Sequence, residues 1–413
     1  MNTKASNKLF RHEERQDLSF LGEKLIRGRH KIHPYPAMLH PLLVDYLLDN
    51  YSTNKSVILD PYCGSGVTLV QSGLRGNDSI GFDVNPLAIL VAETKTKNFK
   101  INKLNEEYKY IIEKFKLETS PDIPEITNIS YWYKEDVIND LGKIRSVLKK
   151  EKLEYKKFFL TIFAYLCRHQ SLTRNSEFKR YRMSQDRIEK FDNQVFELFS
   201  KQYELSINEF SKDSVSAQSK IYLLNSEIEF PKNIKYDLVI TSPPYGDSGT
   251  TVAYGQYSSF AHNWISDFEE YRHIKYKVDR ETMGKKREIV VDLDKFLNLK
   301  KAVDEIKKHD EKRSNDVLNF YNGYYMSLKN IYKHLSKNGF MCIVVGNRTV
   351  KGYKIPMDQI TGNFLDHFGM KFGGIFIRDI SNKVMPLRNS PSNKIGENSS
   401  TMSNEYIVVF KKN

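Results

Sequence analysis

The sequence predicts an α/β fold built on a mostly parallel, Rossmann-like sheet and interrupted by a helical insert. Three observations carry that prediction. A buried-strand pattern, Ser56-Val-Ile-Leu-Asp60, runs into a glycine loop and a helix, and a second strand pattern follows at residues 79–83; this is a βαβ unit, which pairs its strands in parallel. Strand patterns then give way over 101–217 to a helical pattern rich in Lys, Tyr and Phe. They resume at 220–224, 236–241, 339–345, 372–377 and 405–410, so the sheet continues beyond the insert.

Taken in order, residues 1–21 read as a polar arm, and 41–50 carry Leu42, Leu43, Tyr46 and Leu47 at helical spacing. A helix should therefore lead into the first strand. Pro61 and the glycine loop close that strand, and a helix over 67–72 bridges to the second. After the insert, residues 266–315 form a charged stretch of mixed sign that reads as a solvated helical excursion. The chain thus divides into 1–100, the arm and first half of the sheet domain, then 101–217, a basic helical insert, then 218–413, the second half. No internal repeat or low-complexity tract is visible.

At about 150 residues per domain, 413 residues suggest two to three domains. Hydrophobic residues make up 40% and aromatics 12%, with 25 Tyr and 24 Phe, which excludes a wholly disordered chain. A net charge of +13 favours a polyanionic partner, although ordinary solubilising charge reaches the same value. Cys63, Cys167 and Cys342 are odd in number and far apart, so neither a disulfide framework nor a Cys-x-x-Cys zinc site is available, and a reducing cytoplasm is the expected location. Residues 1–15 lack an apolar core, and the longest strongly apolar stretch, 158–167, is about half a membrane span. Neither export nor a membrane partner is expected. The ten histidines show no metal spacing, so no metal site is expected, and His33 reads as positional.

Two loops carry the chemistry. In Asp60-Pro-Tyr-Cys-Gly-Ser-Gly66, between a buried strand and a helix, Gly64 and Gly66 let the backbone turn tightly and approach a ligand. About twenty residues on, the next strand ends in Asp83, whose carboxylate can accept hydrogen bonds from two ribose hydroxyls. A nucleoside-containing cofactor is implied. The loop is not Gly-x-x-x-x-Gly-Lys-Ser/Thr and lacks a third glycine spaced for a pyrophosphate, which argues against nucleoside triphosphates and NAD.

Thr241-Ser-Pro-Pro-Tyr245 also follows a strand, so it lies on the same carboxyl edge of the sheet. Pro243 and Pro244 stiffen the backbone; Pro243 offers a carbonyl, Ser242 a hydroxyl acceptor and Tyr245 a ring face for stacking a planar base. Such a site grips an exocyclic amino group. That nitrogen is a poor nucleophile because its lone pair is delocalised into the ring. Acceptors that direct both N–H bonds pull it toward a tetrahedral geometry, from which it attacks an activated methyl directly. The rival chemistry, methylation at cytosine C5, needs a nucleophilic thiol usually preceded by proline, and none of the three cysteines follows one. Cys63 reads as loop packing.

With these blocks in this order, the sequence resembles the S-adenosylmethionine-dependent amino-methyltransferases of DNA, especially the cytosine-N4 branch, whose signature is Ser-Pro-Pro-Tyr. Adenine-N6 enzymes more often carry Asp or Asn at the first position. The resemblance runs through His33-Pro-Tyr-Pro-Ala37, Asp60 to Gly66, Gly81-Phe-Asp-Val-Asn-Pro-Leu-Ala88, Thr241 to Tyr245 and Val345-Gly-Asn347, covering about 1–100 and 218–413. It implies a class I methyltransferase fold with a seven-stranded sheet, and S-adenosylmethionine as cofactor. It further implies that Tyr62, Asp60, Gly64, Gly66 and Asp83 hold the cofactor, with Pro34 and Tyr35 near its methionine end. Asn225, at the end of the third strand, stands where the family often has Asp and takes the adenine contact. Ser242, Pro243, Pro244 and Tyr245 become the catalytic residues that hold the target base.

The implied activity is methylation of the N4 amino group of cytosine in double-stranded DNA, with the base flipped out of the duplex and no covalent enzyme intermediate. Adenine N6 is the alternative target; RNA guanine-N2 methylation and a catalytically dead DNA-binding protein stand behind it. The implied setting is host DNA protection in a prokaryotic restriction-modification system, with the cognate restriction endonuclease as a separate chain.

For DNA contact the insert is the leading candidate. Residues 143–190 hold fourteen Lys/Arg against five acidic residues, leaving +9 of the chain's +13. Arg168-His-Gln-Ser-Leu-Thr-Arg174 and Lys179-Arg-Tyr-Arg182 interleave cations, polar groups and an aromatic in a mix suited to phosphates and base edges. Arg168, Arg174, Lys179, Arg180 and Arg182 are therefore expected at DNA, joined by Arg388 from the polar loop 382–404. A Lys-rich helix face is also the ordinary pattern of a solvated surface.

Overall fold

The computed structural model describes residues 8–413 apart from 229, 248–251, 272–277, 282–284, 381–387, 390–398 and 401–403. An eight-stranded sheet organises it. Its strands are β1 (His12–Glu14), β2 (Ile58–Asp60), β3 (Ser79–Asp83), β4 (Ser219–Leu223), β5 (Tyr236–Thr241), β6 (Leu335–Val345), β7 (Lys371–Asp379) and β8 (Asn404–Lys411). Their spatial order is β1-β7-β8-β6-β5-β2-β3-β4. The pairs β2·β3, β2·β5, β3·β4 and β5·β6 are parallel, whereas β8 runs antiparallel to both β6 and β7. This is the class I methyltransferase order. From β2 the chain winds outward through β3 and β4 on one side and later through β5 and β6 on the other. The switch point therefore lies between β2 and β5, where an open α/β sheet binds its ligand beyond the carboxyl ends of the strands.

Leu59, Leu238, Val239, Ile240, Met341, Ile343, Val344 and Val408 are fully buried, as expected of strands covered on both faces. Helices α1 (Pro41–Tyr51) and α2 (Val67–Leu74) follow the predicted pattern, and α3 (Pro86–Lys95) follows β3. Pro41 and Pro86 open α1 and α3 from the first turn, and the His40 and Asn85 side chains accept the Leu42 and Leu87 amides as caps.

The structure departs from the sequence expectation in three places. The arm is not merely polar: β1 pairs in parallel with β7 and adds the eighth strand, while Phe10 and Leu18 are buried. The Phe10 ring lies 4.9 Å from Phe372 and 5.4 Å from Phe410, which anchors a segment whose strand residues are themselves exposed. The charged stretch 266–315 contains α9 (Leu297–Lys307), which buries Leu299, Ala302, Val303 and Ile306 in the main core. Its charges occupy the other face. The insert is helical as expected, comprising α4 (Ile101–Leu117), α5 (Glu135–Lys150), α6 (Lys156–His169) and α7 (Val195–Phe210). Its core, however, is continuous with α3 and with α8 (Tyr254–Ile265), joining Phe158, Phe163 and Phe199 to Leu87, Val91, Phe260 and Trp264. The remaining long helices are α10 (Glu311–His334) and α11 (Met357–His367).

Among the described residues, no helix is long and apolar enough to cross a membrane, and no group of His, Cys, Asp and Glu could hold a metal ion. All three cysteines are buried free thiols, and burial raises each above its ordinary pKa.

Candidate active site

At the switch point the carboxyl ends of β2, β3, β4 and β5 surround a cavity of about 870 Å³, its open mouth included. Its floor is the glycine loop. Gly64 and Gly66 take φ of +48° and +81°, the left-handed region that favours glycine. A Cβ on Gly66 would stand 2.9 Å from that of Ala92, so a side chain there would push the loop away from α3.

Asp83 faces the cavity from the end of β3. Its Oδ2 accepts the Gly64 amide at 2.9 Å and its Oδ1 the Asn85 amide at 2.8 Å, which fixes the carboxylate and leaves a lone pair on each oxygen. Burial raises its pKa to about 6. Asp60, also raised to about 6 by burial, accepts the Thr241 hydroxyl at 2.6 Å and the Tyr62 amide at 3.2 Å. It thereby ties the glycine loop to the residue before Ser242. The Tyr62 hydroxyl is held by Ser327.

Tyr35 forms another wall, its hydroxyl accepting Asn85 Nδ2 at 2.8 Å and its ring stacked 6.1 Å from Tyr254. Leu224, Asn225, Ser226 and Glu227 close the side beyond β4. Of the residues implied for the cofactor, Tyr35, Asp60, Tyr62, Gly64, Asp83 and Asn225 line the cavity. Gly66, which caps α2, and Pro34 stand outside the lining, and the Pro34 carbonyl accepts the Tyr257 hydroxyl at 2.7 Å.

Ser242 and Pro244 line the same cavity, on the loop that follows β5, the neighbour of β2. Pro243 is buried beside them, and Tyr245 is half-buried outside the lining. The Ser242 and Tyr245 hydroxyls are 2.8 Å apart, and the phenol donates to Glu405 Oε1 at 3.0 Å.

The basic segment behaves differently from its composition. Arg168 is 4% exposed, with its guanidinium 4.5 Å from the Tyr257 ring centroid and donating to the Glu177 carbonyl, so it supports the fold beneath the surface. Arg145 is buried on Asp122 and Asp267. Lys143, Lys149, Lys150, Lys156 and Lys157 each reach an acidic residue outside the segment. The local surplus is therefore partly cancelled in space. Arg174 is exposed and shares Glu177 at 3.4 Å. Lys179 and Arg180 are exposed and, among the described residues, have no ion pair; Arg180 lies 5.6 Å from Trp132, and Arg182 is 4.3 Å from Tyr131. They sit beside exposed Phe178 and Tyr181, on a loop that packs against α8 next to Pro34 and Tyr35. The side chain of Arg388 lies outside the described residues.

A family model described as DNA methylase matches residues 6–94 and 236–413, which hold both loops and all but one strand of the sheet. The chain belongs to the N6/N4 DNA methylase family. The Type II methyltransferase M.MvaI of Kocuria varians is 34% identical over 430 residues, spanning 97% of this methylase and 94% of that protein. M.MjaII of Methanocaldococcus jannaschii, another Type II methyltransferase, is 42% identical over 93 residues, 22% of this chain and 18% of that one. The rRNA methyltransferase aviRa of Streptomyces viridochromogenes superposes with a TM-score of 0.31 at 9% identity, covering 92% of this chain and 89% of that chain.

S-adenosylmethionine is the methyl donor, and the methylase's own cavity fits it. Asp83 presents two carboxylate lone pairs of the kind a ribose diol uses, Pro61, Val84 and Leu224 offer apolar walls to a planar base, and Tyr35 and Tyr254 offer ring faces to a cation. Asn85, Tyr254 and Glu227 were missed from sequence. Asn85 carried a signal, since Asn directly before Pro at a helix start is a cap. Tyr254 and Glu227 lie in irregular or helical segments with no distinguishing pattern.

Proposed function

We propose that the methylase transfers a methyl group to the N4 amino group of cytosine in double-stranded DNA. The observation that carries this reading is the place of Ser242 and Pro244 in one cavity with Asp83 and the glycine loop. A neutral hydroxyl stands first in the motif, where adenine-N6 enzymes more often have Asp or Asn; adenine N6 is the alternative target.

Bound S-adenosylmethionine supplies an electrophilic methyl, and Pro34, Tyr35, Asp60, Tyr62, Gly64, Gly66, Asp83 and Asn225 form or support its site. Ser242 Oγ and the Pro243 carbonyl accept hydrogen bonds from the two amino N–H groups and direct the nitrogen lone pair toward the methyl. Pro244 keeps that backbone rigid. The ring of Tyr245 supports the flipped base, and stacking of this kind contributes about 1–3 kcal/mol. The amino proton leaves to water, because a serine hydroxyl is too weak a base at neutral pH.

Phosphates are held by Lys179, Arg180 and Arg182, with Arg174 beside them and Arg388 as a further candidate from the loop 382–404; Arg168 acts from below by fixing the loop. Similarity to M.MvaI over nearly the whole chain supports a Type II role, in which a separate restriction endonuclease cuts unmethylated sites in a prokaryotic cytoplasm. The test is transfer of labelled methyl to plasmid DNA and to RNA by the purified protein. Label in DNA alone is expected; label in RNA alone would overturn the substrate class.

A further inference from the structure

A chain of hydrogen bonds leads out of the cavity from Ser242 and ends on a buried ion pair that the proposed chemistry does not use. Beyond Tyr245, Glu405 Oε2 accepts Arg378 Nε at 3.0 Å and Nη2 at 2.6 Å, while Arg378 Nη1 donates to the Leu18 carbonyl at 3.1 Å. The Glu405 and Arg378 side chains are only 13% and 8% exposed. They face each other across β8 and β7, 160 residues from Tyr245 in the case of Glu405.

The direction of these bonds follows from proton counting. A guanidinium only donates and an ionised carboxylate only accepts. With Oε2 occupied by Arg378, Oε1 takes the phenol proton of Tyr245. That phenol keeps its proton at any working pH, since burial and then the Glu405 charge hold its pKa well above 10. A hydroxyl has one proton to give, so the Tyr245 oxygen must accept from Ser242 across the 2.8 Å contact. The single Ser242 proton therefore points away from the cavity.

We propose that Glu405, held by Arg378, fixes the polarity of the Ser242–Tyr245 pair so that Ser242 Oγ meets the target amino group only as an acceptor. This rests on the proposed placement of that amino group at Ser242. As the nitrogen gains positive charge its N–H groups become stronger donors, and an acceptor backed by a carboxylate responds more than an isolated hydroxyl. Glu405 is a positioning residue, and no proton crosses the chain.

Glu405→Gln tests this because it reverses the chain at constant size. Arg378 claims the amide oxygen, the amide NH2 turns to Tyr245, the phenol proton turns to Ser242, and the Ser242 proton enters the cavity against the amino N–H. Single-turnover methylation of a plasmid saturated with enzyme and S-adenosylmethionine should slow by about 10- to 100-fold, with DNA and cofactor Kd at parental values. Tyr245→Phe, which keeps the Glu405–Arg378 pair, should slow turnover on its own, and adding Glu405→Gln to it should cost nothing more. A parental single-turnover rate for Glu405→Gln or Tyr245→Phe, or additive losses in the double variant, would overturn the proposal. Ser242→Ala in the same series separates the two levels. If it turns over like the parent, the placement of the amino group fails; if it is slow while Glu405→Gln is parental, only the polarity chain fails.

Discussion

Removing the Asp83 carboxylate isolates the ribose contact from the rest of the cavity. Because Gly64 and Asn85 already hold both oxygens at 2.9 and 2.8 Å, the group is fixed before a ligand arrives and little ordering is lost on binding. A hydrogen bond to a charged acceptor contributes about 1.5–3 kcal/mol, so Asp83→Ala should raise the Kd for S-adenosylmethionine roughly ten- to a hundredfold. The pH dependence carries a second signature. With its pKa raised to about 6 by burial, Asp83 is the full acceptor above that value and loses acceptor strength as the pH falls below it. Parental affinity should therefore weaken toward acid, and the alanine variant should lose most of that dependence, keeping only what Asp60 contributes.

For folding of the free protein the sign is opposite. A carboxyl raised from 3.8 to about 6 adds stability that is complete below 3.8 and is lost as the pH rises through 6. Acid weakening of cofactor binding therefore cannot be read as unfolding driven by these two groups. Titration calorimetry at about pH 5 and about pH 7.5, with circular dichroism on the same samples, makes the measurement. A folded Asp83→Ala protein with parental Kd at both values would refute the ribose contact.

Ser242→Ala should lower single-turnover methylation by about 10²-fold while both dissociation constants hold, the order of loss for one transition-state hydrogen bond; a large rise in DNA Kd with unchanged turnover would contradict it. Replacing Arg180 and Arg182 by Ala should weaken DNA binding and reduce the slope of log K against log salt by about one for each lost phosphate contact, with cofactor binding spared; identical slopes would make the segment a solvated face. Lys95 is fully buried, donates to the His33 carbonyl at 3.2 Å, and is lowered by burial to a pKa of about 7. Its contribution to stability is complete above 10.5 and lost as the pH falls toward 7, so Lys95→Met should flatten the rise in stability across that window, as followed by denaturant unfolding. The same rise in the variant would exclude Lys95 as its source.

What was legible in the sequence had a local cause. The strands around Leu59, Val239 and Ile343 are near-continuous apolar runs because helices cover both sheet faces, and the glycine loop announces itself by standing between such a strand and a helix. Strand β1 was hidden because His12, Glu13 and Glu14 are exposed and join the sheet through backbone pairing alone, and the nearby anchor Phe10 is a single apolar residue among polar ones. The charge of the basic insert is smaller in space than in sequence. Glu93, Glu118, Asp122, Asp140, Asp267 and Glu270 lie outside 143–190 in sequence and return to neutralise its lysines and Arg145. Glu405 and Arg378 were invisible for the same reason, since only the pairing of β8 with β7 brings them together beside Tyr245.

The most direct test of the central claim is the identity of the methylated base. Plasmid DNA incubated with the purified protein and isotopically labelled S-adenosylmethionine is digested to nucleosides and resolved by mass spectrometry against authentic standards. Ser242 at the head of its motif, on one cavity with Asp83, predicts label in N4-methyl-2′-deoxycytidine alone. Label in N6-methyl-2′-deoxyadenosine or 5-methyl-2′-deoxycytidine in its place would contradict the account.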